Sequence, residues 1–305
     1  MKVLFAAPAD DWQEWHQPLQ AACPEMDLCR EGDPASFDAL IYAPGYPADG
    51  VLDFTPFTNA RLIQSLWAGV ERIVTNETLT QPLCKMVDPG LSEGMAEYCT
   101  GWALRAHLGM DAMAQDGLWR NALVPPLASS RKVTVLGMGE MGRATAQSLR
   151  AVGFDVAGWS ASGRPVDGFE IYAGPQLDAA LLRATILVCL LPDTADTRNL
   201  LDSKRLAMLP EGATVINAGR GTLIDETALM DALERNRPAH AVLDVFRTEP
   251  LPATHPFWAH PQITVTPHIA ASTRPATASL IVAENLRRAM RNAPLLHQVD
   301  RARGY

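Results

Sequence analysis

Short apolar runs recur along the chain, each followed by a polar or helix-like stretch. One set comprises Lys2–Ala7, Asp38–Ala43, Arg61–Leu66 and Arg72–Val74. A second begins after Pro125-Pro126 and comprises Lys132–Leu136, Phe154–Trp159, Ile186–Leu191, Thr214–Asn217, Ala241–Val245 and Ile263–Thr266. Between the runs of the second set lie helical patterns such as Met141–Ala151, Ser203–Met208 and Glu226–Arg235. Such alternation predicts parallel α/β sheets. A longer helix is predicted from Ser92 to about His107, with Ser92 as its N-cap and Glu93 and Glu97 in its first turns, where the helix dipole favours negative charge. A final helix is predicted over about Pro275–Arg291. These two helices are expected to carry the chain out of one α/β domain and back. The predicted domains are residues 1–99 with 275–305, and an inserted domain of residues 100–274.

Composition narrows the picture. At 305 residues, 48% hydrophobic and 20% charged, the chain is ordinary globular material of about two domains. The longest apolar runs, around Ile186–Leu191, fall far short of the roughly 18 residues that span a bilayer, so no membrane association is expected. The run after Met1 ends at Pro8 and reads as a first strand rather than a signal peptide. The net charge of −8, with acids and bases interspersed, argues against a nucleic-acid partner. The five cysteines (Cys23, Cys29, Cys84, Cys99, Cys189) form no C-x-x-C and no cluster with zinc spacing. No metal is expected, and the cysteine usage suits a reducing, cytoplasmic setting.

The strongest local signal is Gly137-Met138-Gly139-Glu140-Met141-Gly142, a G-x-G-x-x-G between a strand pattern and a helix pattern. In that context Gly137 permits the tight turn, Gly139 admits a pyrophosphate and Gly142 lets helix and strand pack closely. Glu140, Met141 and the helix start would then meet the phosphates. An NAD site would place an acid at the end of the next strand. Here the strand runs into Ser160, Ala161, Ser162, Gly163 and Arg164, and no acid appears until Asp167. Hydroxyls at Ser160 and Ser162 with the Arg164 guanidinium suit a 2′-phosphate. NADPH is therefore expected, with NADH the weaker cofactor.

In open α/β sheets ligands bind beyond the carboxyl ends of strands. Arg220, Asp244, His268 and Gly69 fall at such ends, and Glu249 follows shortly after one. Each alone has an ordinary structural explanation, but together they describe a mechanism. Hydride reduction of a 2-oxo acid builds negative charge on the ketone oxygen, which Arg220 can stabilise while holding the carboxylate. His268 is the natural proton donor near neutral pH, and Glu249 could orient its ring and favour the imidazolium. Backbone N–H groups around Ala68, Gly69 and Val70 could bind the carboxylate. Tyr42–Pro47 and Trp67 are further candidates for substrate contacts, with Tyr42 and Trp67 foremost.

The sequence resembles the D-2-hydroxyacid dehydrogenase family over nearly its whole length. The shared marks are Ala68-Gly69-Val70, the 137–142 turn, Asn217-Ala218-Gly219-Arg220-Gly221, Leu243-Asp244-Val245-Phe246 with Glu249-Pro250, and Pro267-His268-Ile269-Ala270-Ala271. Within the family it is most similar to the glyoxylate/hydroxypyruvate reductase A group. The marks there are Asp88-Pro89-Gly90-Leu91, the turn from Trp159, His268 through Pro275, and the ending Asp300 to Tyr305. The resemblance implies a Rossmann cofactor domain inserted into a flavodoxin-like substrate domain, and a homodimer. It implies Arg220, Glu249 and His268 as the catalytic set, with substrate between the domains. It also implies Asp244 near the nicotinamide carboxamide, and Leu190, Pro192, Ala218, Gly219, Arg220 and Ala270 along the cofactor. The implied substrates are small 2-oxo acids such as glyoxylate and hydroxypyruvate. Trp67 stands where relatives often have a small residue, which predicts a narrower pocket. The alternatives are a reductase of a bulkier 2-oxo acid such as phenylpyruvate, or a non-catalytic NADP(H)-sensing protein of the same fold. The intact Arg220/Glu249/His268 set argues against the sensor.

Overall fold

A computed structural model describes residues 1–48, 50–112, 119, 121–122, 124–302 and 304. Arg303 and Tyr305 of the expected C-terminal motif lie outside the described residues. The chain divides into two compact units, Met1–Leu91 with Thr273–Tyr305, and Ser92–Ser272.

Unit 1 is built from β1 (Lys2–Ala6), α1 (Ala9–Ala22), β2 (Asp27–Cys29), β3 (Ala39–Tyr42), β4 (Ile63–Ser65), α2 (Glu71–Val74) and β5 (Leu83–Cys84). Its sheet is wholly parallel in the order β2-β1-β3-β4-β5, the flavodoxin-like order. Every residue of β3 and β4 is buried. Gln64 on β4 is also fully buried, and it is satisfied by Asn285, whose Nδ2 donates to Gln64 Oε1 at 2.7 Å. That pair fastens the last helix of the chain to the sheet.

The chain leaves unit 1 along α3 (Pro89–Leu108). Unit 2 then follows as β6 (Lys132–Leu136), α4 (Glu140–Ala151), β7 (Asp155–Ser160), β8 (Glu170–Ala173), α5 (Leu177–Arg183), β9 (Ile186–Cys189), α6 (Ser203–Leu206), β10 (Thr214–Asn217), α7 (Glu226–Glu234), β11 (His240–Leu243) and β12 (Ile263–Val265). The last helix, α8 (Pro275–Met290), returns to unit 1. Its buried residues Ala278, Val282, Leu286 and Ala289 recur at helical spacing and make one apolar stripe. The seven strands of unit 2 lie in the order β12-β11-β10-β9-β6-β7-β8, all parallel. Read from β8, this is the Rossmann order with one strand added. The direction of winding reverses between β6 and β9, and ligands of such sheets bind at that switch point.

Both sheets are doubly wound. The apolar runs became strands where both faces of the sheet are covered, as in β9 and β10, in which every residue is buried. Two sequence expectations fail locally. Arg72–Val74 is helical, within α2, and the strand beside β4 is Leu83–Cys84. A short apolar run carries no period long enough to distinguish the two, and of those three residues only Ile73 is buried. Ser92 does not cap α3. The helix begins at Pro89, and Asp88 Oδ2 accepts the Leu91 N–H at 3.2 Å. Proline suits a first helical position, because its missing N–H would have no partner there.

Candidate active site

The glycine turn follows β6 at the switch point. Gly137 has φ +103°, and a Cβ there would stand 2.7 Å from the Leu190 carbonyl oxygen. A Cβ on Gly142 would collide with the Gly137 carbonyl. Both glycines are thus demanded by the protein's own packing. Gly139 is different, since a Cβ there would meet no protein atom within 4 Å. The freedom it confers faces outward, as the approach of a phosphate requires. Gly139 is also the N-cap of α4 and offers no side-chain cap, so the N–H groups at the helix start remain open to an anion. Glu140 is exposed and ion-paired with Arg143, while Met141 is half-buried.

The loop after β9 forms the facing wall. Leu190 and Pro192 are half-buried, and Thr197 closes the loop by donating its hydroxyl to the Pro192 carbonyl at 2.6 Å. Ala218 is buried, and a Cβ on Gly219 would come within 2.9 Å of the Leu191 carbonyl oxygen. At the end of β7, the Ser160 hydroxyl accepts the Gly163 N–H at 3.2 Å, and Ser162 and Arg164 are exposed. No carboxylate stands in the turn 160–164. These residues fit a dinucleotide carrying a 2′-phosphate.

The catalytic candidates gather at the carboxyl ends of β10, β11 and β12. Asn217 folds the first loop, donating Nδ2–H to the Arg220 carbonyl at 3.0 Å and accepting the Gly219 N–H at 3.2 Å. Gly221 presses against the Phe246 backbone, where any Cβ would clash. That close approach carries Arg220 toward the loop after β11. In this loop Glu249 Oε1 accepts the Phe246 N–H at 2.8 Å, and Oε2 lies 2.8 Å from His268 Nδ1. The ionised carboxylate can only accept, so Nδ1 carries a proton and Nε2 is left for chemistry. The His268 side chain is 52% exposed, which keeps that second nitrogen reachable.

The electrostatics suit a proton donor. The Glu249 hydrogen bond raises the His268 pKa above the ordinary imidazole value against the opposing effect of burial, and the charges of Glu249 and Asp244 add to the rise. Arg220 opposes it, and its guanidinium Nη1 donates to the Gly219 carbonyl at 2.6 Å. For Glu249, burial pushes the pKa up, but the His268 bond, the Phe246 N–H and the charges of His268 and Arg220 outweigh it, and the net shift is downward. The pair therefore favours imidazolium beside carboxylate. Asp244, expected at the nicotinamide, is completely buried, and its Oδ2 accepts the N–H of buried Ala270 at 2.9 Å.

Unit 1 places the expected substrate contacts unequally. Tyr42 is 5% exposed and packs edge-on against Phe54 at 5.3 Å, so its ring belongs to the apolar core. Tyr42 shares one apolar cluster with Leu40, Leu52 and Phe54, and burial outweighs display. Trp67 is 41% exposed. Its backbone is pinned by Ser65, whose hydroxyl accepts the Trp67 N–H at 2.9 Å and donates to the Trp67 carbonyl at 3.0 Å. Among the described residues, the N–H groups of Ala68 and Gly69 make no hydrogen bond, which suits a carboxylate.

Residues 102–270 match the family described as D-isomer specific 2-hydroxyacid dehydrogenase, NAD binding domain. The chain belongs to the D-2-hydroxyacid dehydrogenase family. It is 36% identical to glyoxylate/hydroxypyruvate reductase A of Serratia proteamaculans, over 94% of each chain. It is 34% identical to the protein of that name from Escherichia fergusonii over the full length of both. Among solved structures it superposes with a TM-score of 0.92 on a D-isomer specific 2-hydroxyacid dehydrogenase from Xanthobacter autotrophicus, determined with NADPH and MES. That match is 36% identical and covers 100% of this chain and 99% of the other. A second, at TM-score 0.90 and 32% identity with the same coverage, is the NADPH-dependent glyoxylate/hydroxypyruvate reductase of Sinorhizobium meliloti with NADP and sulfate.

Two residues bonded to the candidate site escaped sequence reasoning. Thr266 donates its hydroxyl to Asp244 Oδ1 at 2.7 Å, and Tyr98 Oη lies 2.6 Å from the Thr266 oxygen. Thr266 directly precedes the Pro267-His268 motif, a hint that was available. Tyr98 lies far away in sequence on α3 and gave no signal at all.

Proposed function

We propose that this dehydrogenase reduces small 2-oxo acids, glyoxylate and hydroxypyruvate foremost, with NADPH as the hydride source. The observation that carries the proposal is the 2.8 Å bond between His268 Nδ1 and Glu249, made within the field of Arg220. NADPH, held at Gly139, the α4 N-terminus, Ser160, Ser162 and Arg164, would supply the hydride. His268 donates a proton from Nε2 to the substrate's ketone oxygen, and Glu249 stabilises the imidazolium before the transfer. Arg220 steadies the negative charge that develops on that oxygen. In unit 1, the open N–H groups of Ala68 and Gly69 offer a seat for a carboxylate. The reductase A relatives and the NADPH- and NADP-bound structures support the substrate and cofactor class.

Unit 2 is taken as the cofactor domain and unit 1 as the substrate domain. A homodimer is supported by the exposed apolar residues Met110, Trp119, Val124 and Leu127, which follow closely in the chain between α3 and β6. A reducing cytoplasm is supported by five free cysteines, and no helix among the described residues is long and apolar enough to cross a membrane. Steady-state kinetics over a panel of 2-oxo acids with both cofactors tests the central reading. Turnover of glyoxylate and hydroxypyruvate with a lower KM for NADPH than for NADH is expected. NADPH binding without turnover of any 2-oxo acid would overturn it.

A further inference from the structure

His268 has φ +55°, a left-handed backbone that a non-glycine residue keeps only when its surroundings impose it. Asp244 ties that backbone down from several sides. The His268 N–H is shared between the Asp244 carbonyl at 2.9 Å and the Thr266 carbonyl at 3.1 Å. The Asp244 carboxylate accepts the Ile269 N–H at 2.9 Å and the Thr266 hydroxyl at 2.7 Å on Oδ1, and the Ala270 N–H at 2.9 Å on Oδ2. Four hydrogen bonds thus tie one buried residue to the loop 266–270. The clamp works only if the carboxylate is correctly turned, which in a dry site depends on its hydrogen-bond donors.

The direction of those donors can be worked out. Thr266 has a single hydroxyl proton, and it is committed to an acceptor-only carboxylate. The 2.6 Å contact between Tyr98 and Thr266 must therefore have Tyr98 as donor. Burial pushes the Tyr98 phenol well above its usual pKa, so it stays protonated and donating.

We infer that Tyr98 and Thr266 are positioning residues for the proton donor, forming a directed chain from the Tyr98 hydroxyl through the Thr266 hydroxyl to the Asp244 carboxylate that holds the His268 loop in register with Glu249. The inference rests on His268 being the donor. All of its parts lie in unit 2.

Thr266→Val keeps the shape and deletes both hydrogen bonds, Thr266→Ser restores the hydroxyl, and Tyr98→Phe removes only the outer bond. Two readouts are used, kcat and KM for glyoxylate, and amide exchange of Thr266 and of residues 268–270 in the protein without substrate. Thr266→Val should lower kcat about tenfold or more with KM little changed, the loss expected for one charge-assisted hydrogen bond. It should also speed exchange in the loop. Thr266→Ser should return both to within about twofold of the parent, and Tyr98→Phe should fall between them. Wild-type kcat and wild-type exchange in Thr266→Val would overturn the inference, as would a Ser variant no better than Val. The exchange readout needs no turnover, so a parent protein inactive on every 2-oxo acid would sink the proposed function while still deciding whether the chain holds the loop. Should Thr266→Val fail to fold, Tyr98→Phe and Thr266→Ser carry the same comparison.

Discussion

The reactive groups of unit 2 are held from several sides. His268 is bonded to Glu249, Glu249 is bonded to the Phe246 N–H, and the His268 loop is tied to a buried Asp244. In unit 1 the corresponding candidates are backbone N–H groups at 68–69 without a partner among the described residues, beside an indole that is 41% exposed. On the proposed function, the contrast separates two tasks. Charge and proton chemistry reward groups fixed before the substrate arrives, because reorganisation at the moment of reaction is costly. Recognition of a small acid needs only open donors and a wall of suitable shape.

The comparison breaks most easily at His268. If unit 2 supplies the proton, His268→Ala should lower the reduction rate about 10²- to 10⁴-fold. NADPH affinity in a fluorescence titration should be unchanged. A variant that kept most of the rate would move the chemistry elsewhere.

The glycine turn offers the next test, since its three glycines serve different masters. Gly142→Ala should lower the melting temperature, because its Cβ meets the Gly137 carbonyl. Gly139→Ala meets nothing within the protein, so its melting temperature should match the parent while the NADPH Kd rises about tenfold, or ~1.4 kcal/mol. Equal NADPH affinity in Gly139→Ala would deny that the turn approaches a phosphate.

A pH profile sharpens the account of the pair. If His268 is the donor, reduction needs the imidazolium, and the groups facing His268 are Glu249, Asp244 and Arg220. Because Glu249 raises the His268 pKa, the donor form persists to higher pH, and the rate should fall as pH climbs through that raised value. Because the Glu249 pKa is lowered, the pair stays charged well into the acid range and the acid limb lies low. Glu249→Gln removes the negative charge, so the alkaline limb of kcat should move toward lower pH. An unmoved limb would mean that another group governs it.

The smallest effect is expected in unit 1. Trp67→Ala should widen acceptance, raising kcat/KM for phenylpyruvate a few-fold, about the worth of a modest steric change in an apolar pocket. The pH profile should stay that of the parent, since every group that sets it lies in unit 2. A shifted profile would erase the division between the units.

Much of this was readable in advance, and the limits follow a pattern. The central strands of unit 2 announced themselves because both of their faces are buried. The edge strands β2 and β8 went unnoticed because half-exposed positions tolerate polar residues and blur the alternation. Ser92 looked like a cap by residue type, yet the helix starts at Pro89 because Asp88 is placed to receive the Leu91 N–H. Tyr42 looked like a substrate contact by position, and packing drew its ring into the core.

The order of residues alone settled the chemistry on offer: a glycine turn after a strand, a guanidinium, a carboxylate and an imidazole at strand ends, and no acid where a ribose hydroxyl would want one. These are properties of residue type and short spacing, and they survive without coordinates. Folding decided which of those groups meet and in what state. The distance from Glu249 to His268, the left-handed backbone at His268, and the reach of Tyr98 from α3 to Thr266 all depend on contacts between segments far apart in the chain. No local pattern encodes such contacts, because they arise only when the β10, β11 and β12 ends and α3 are packed together.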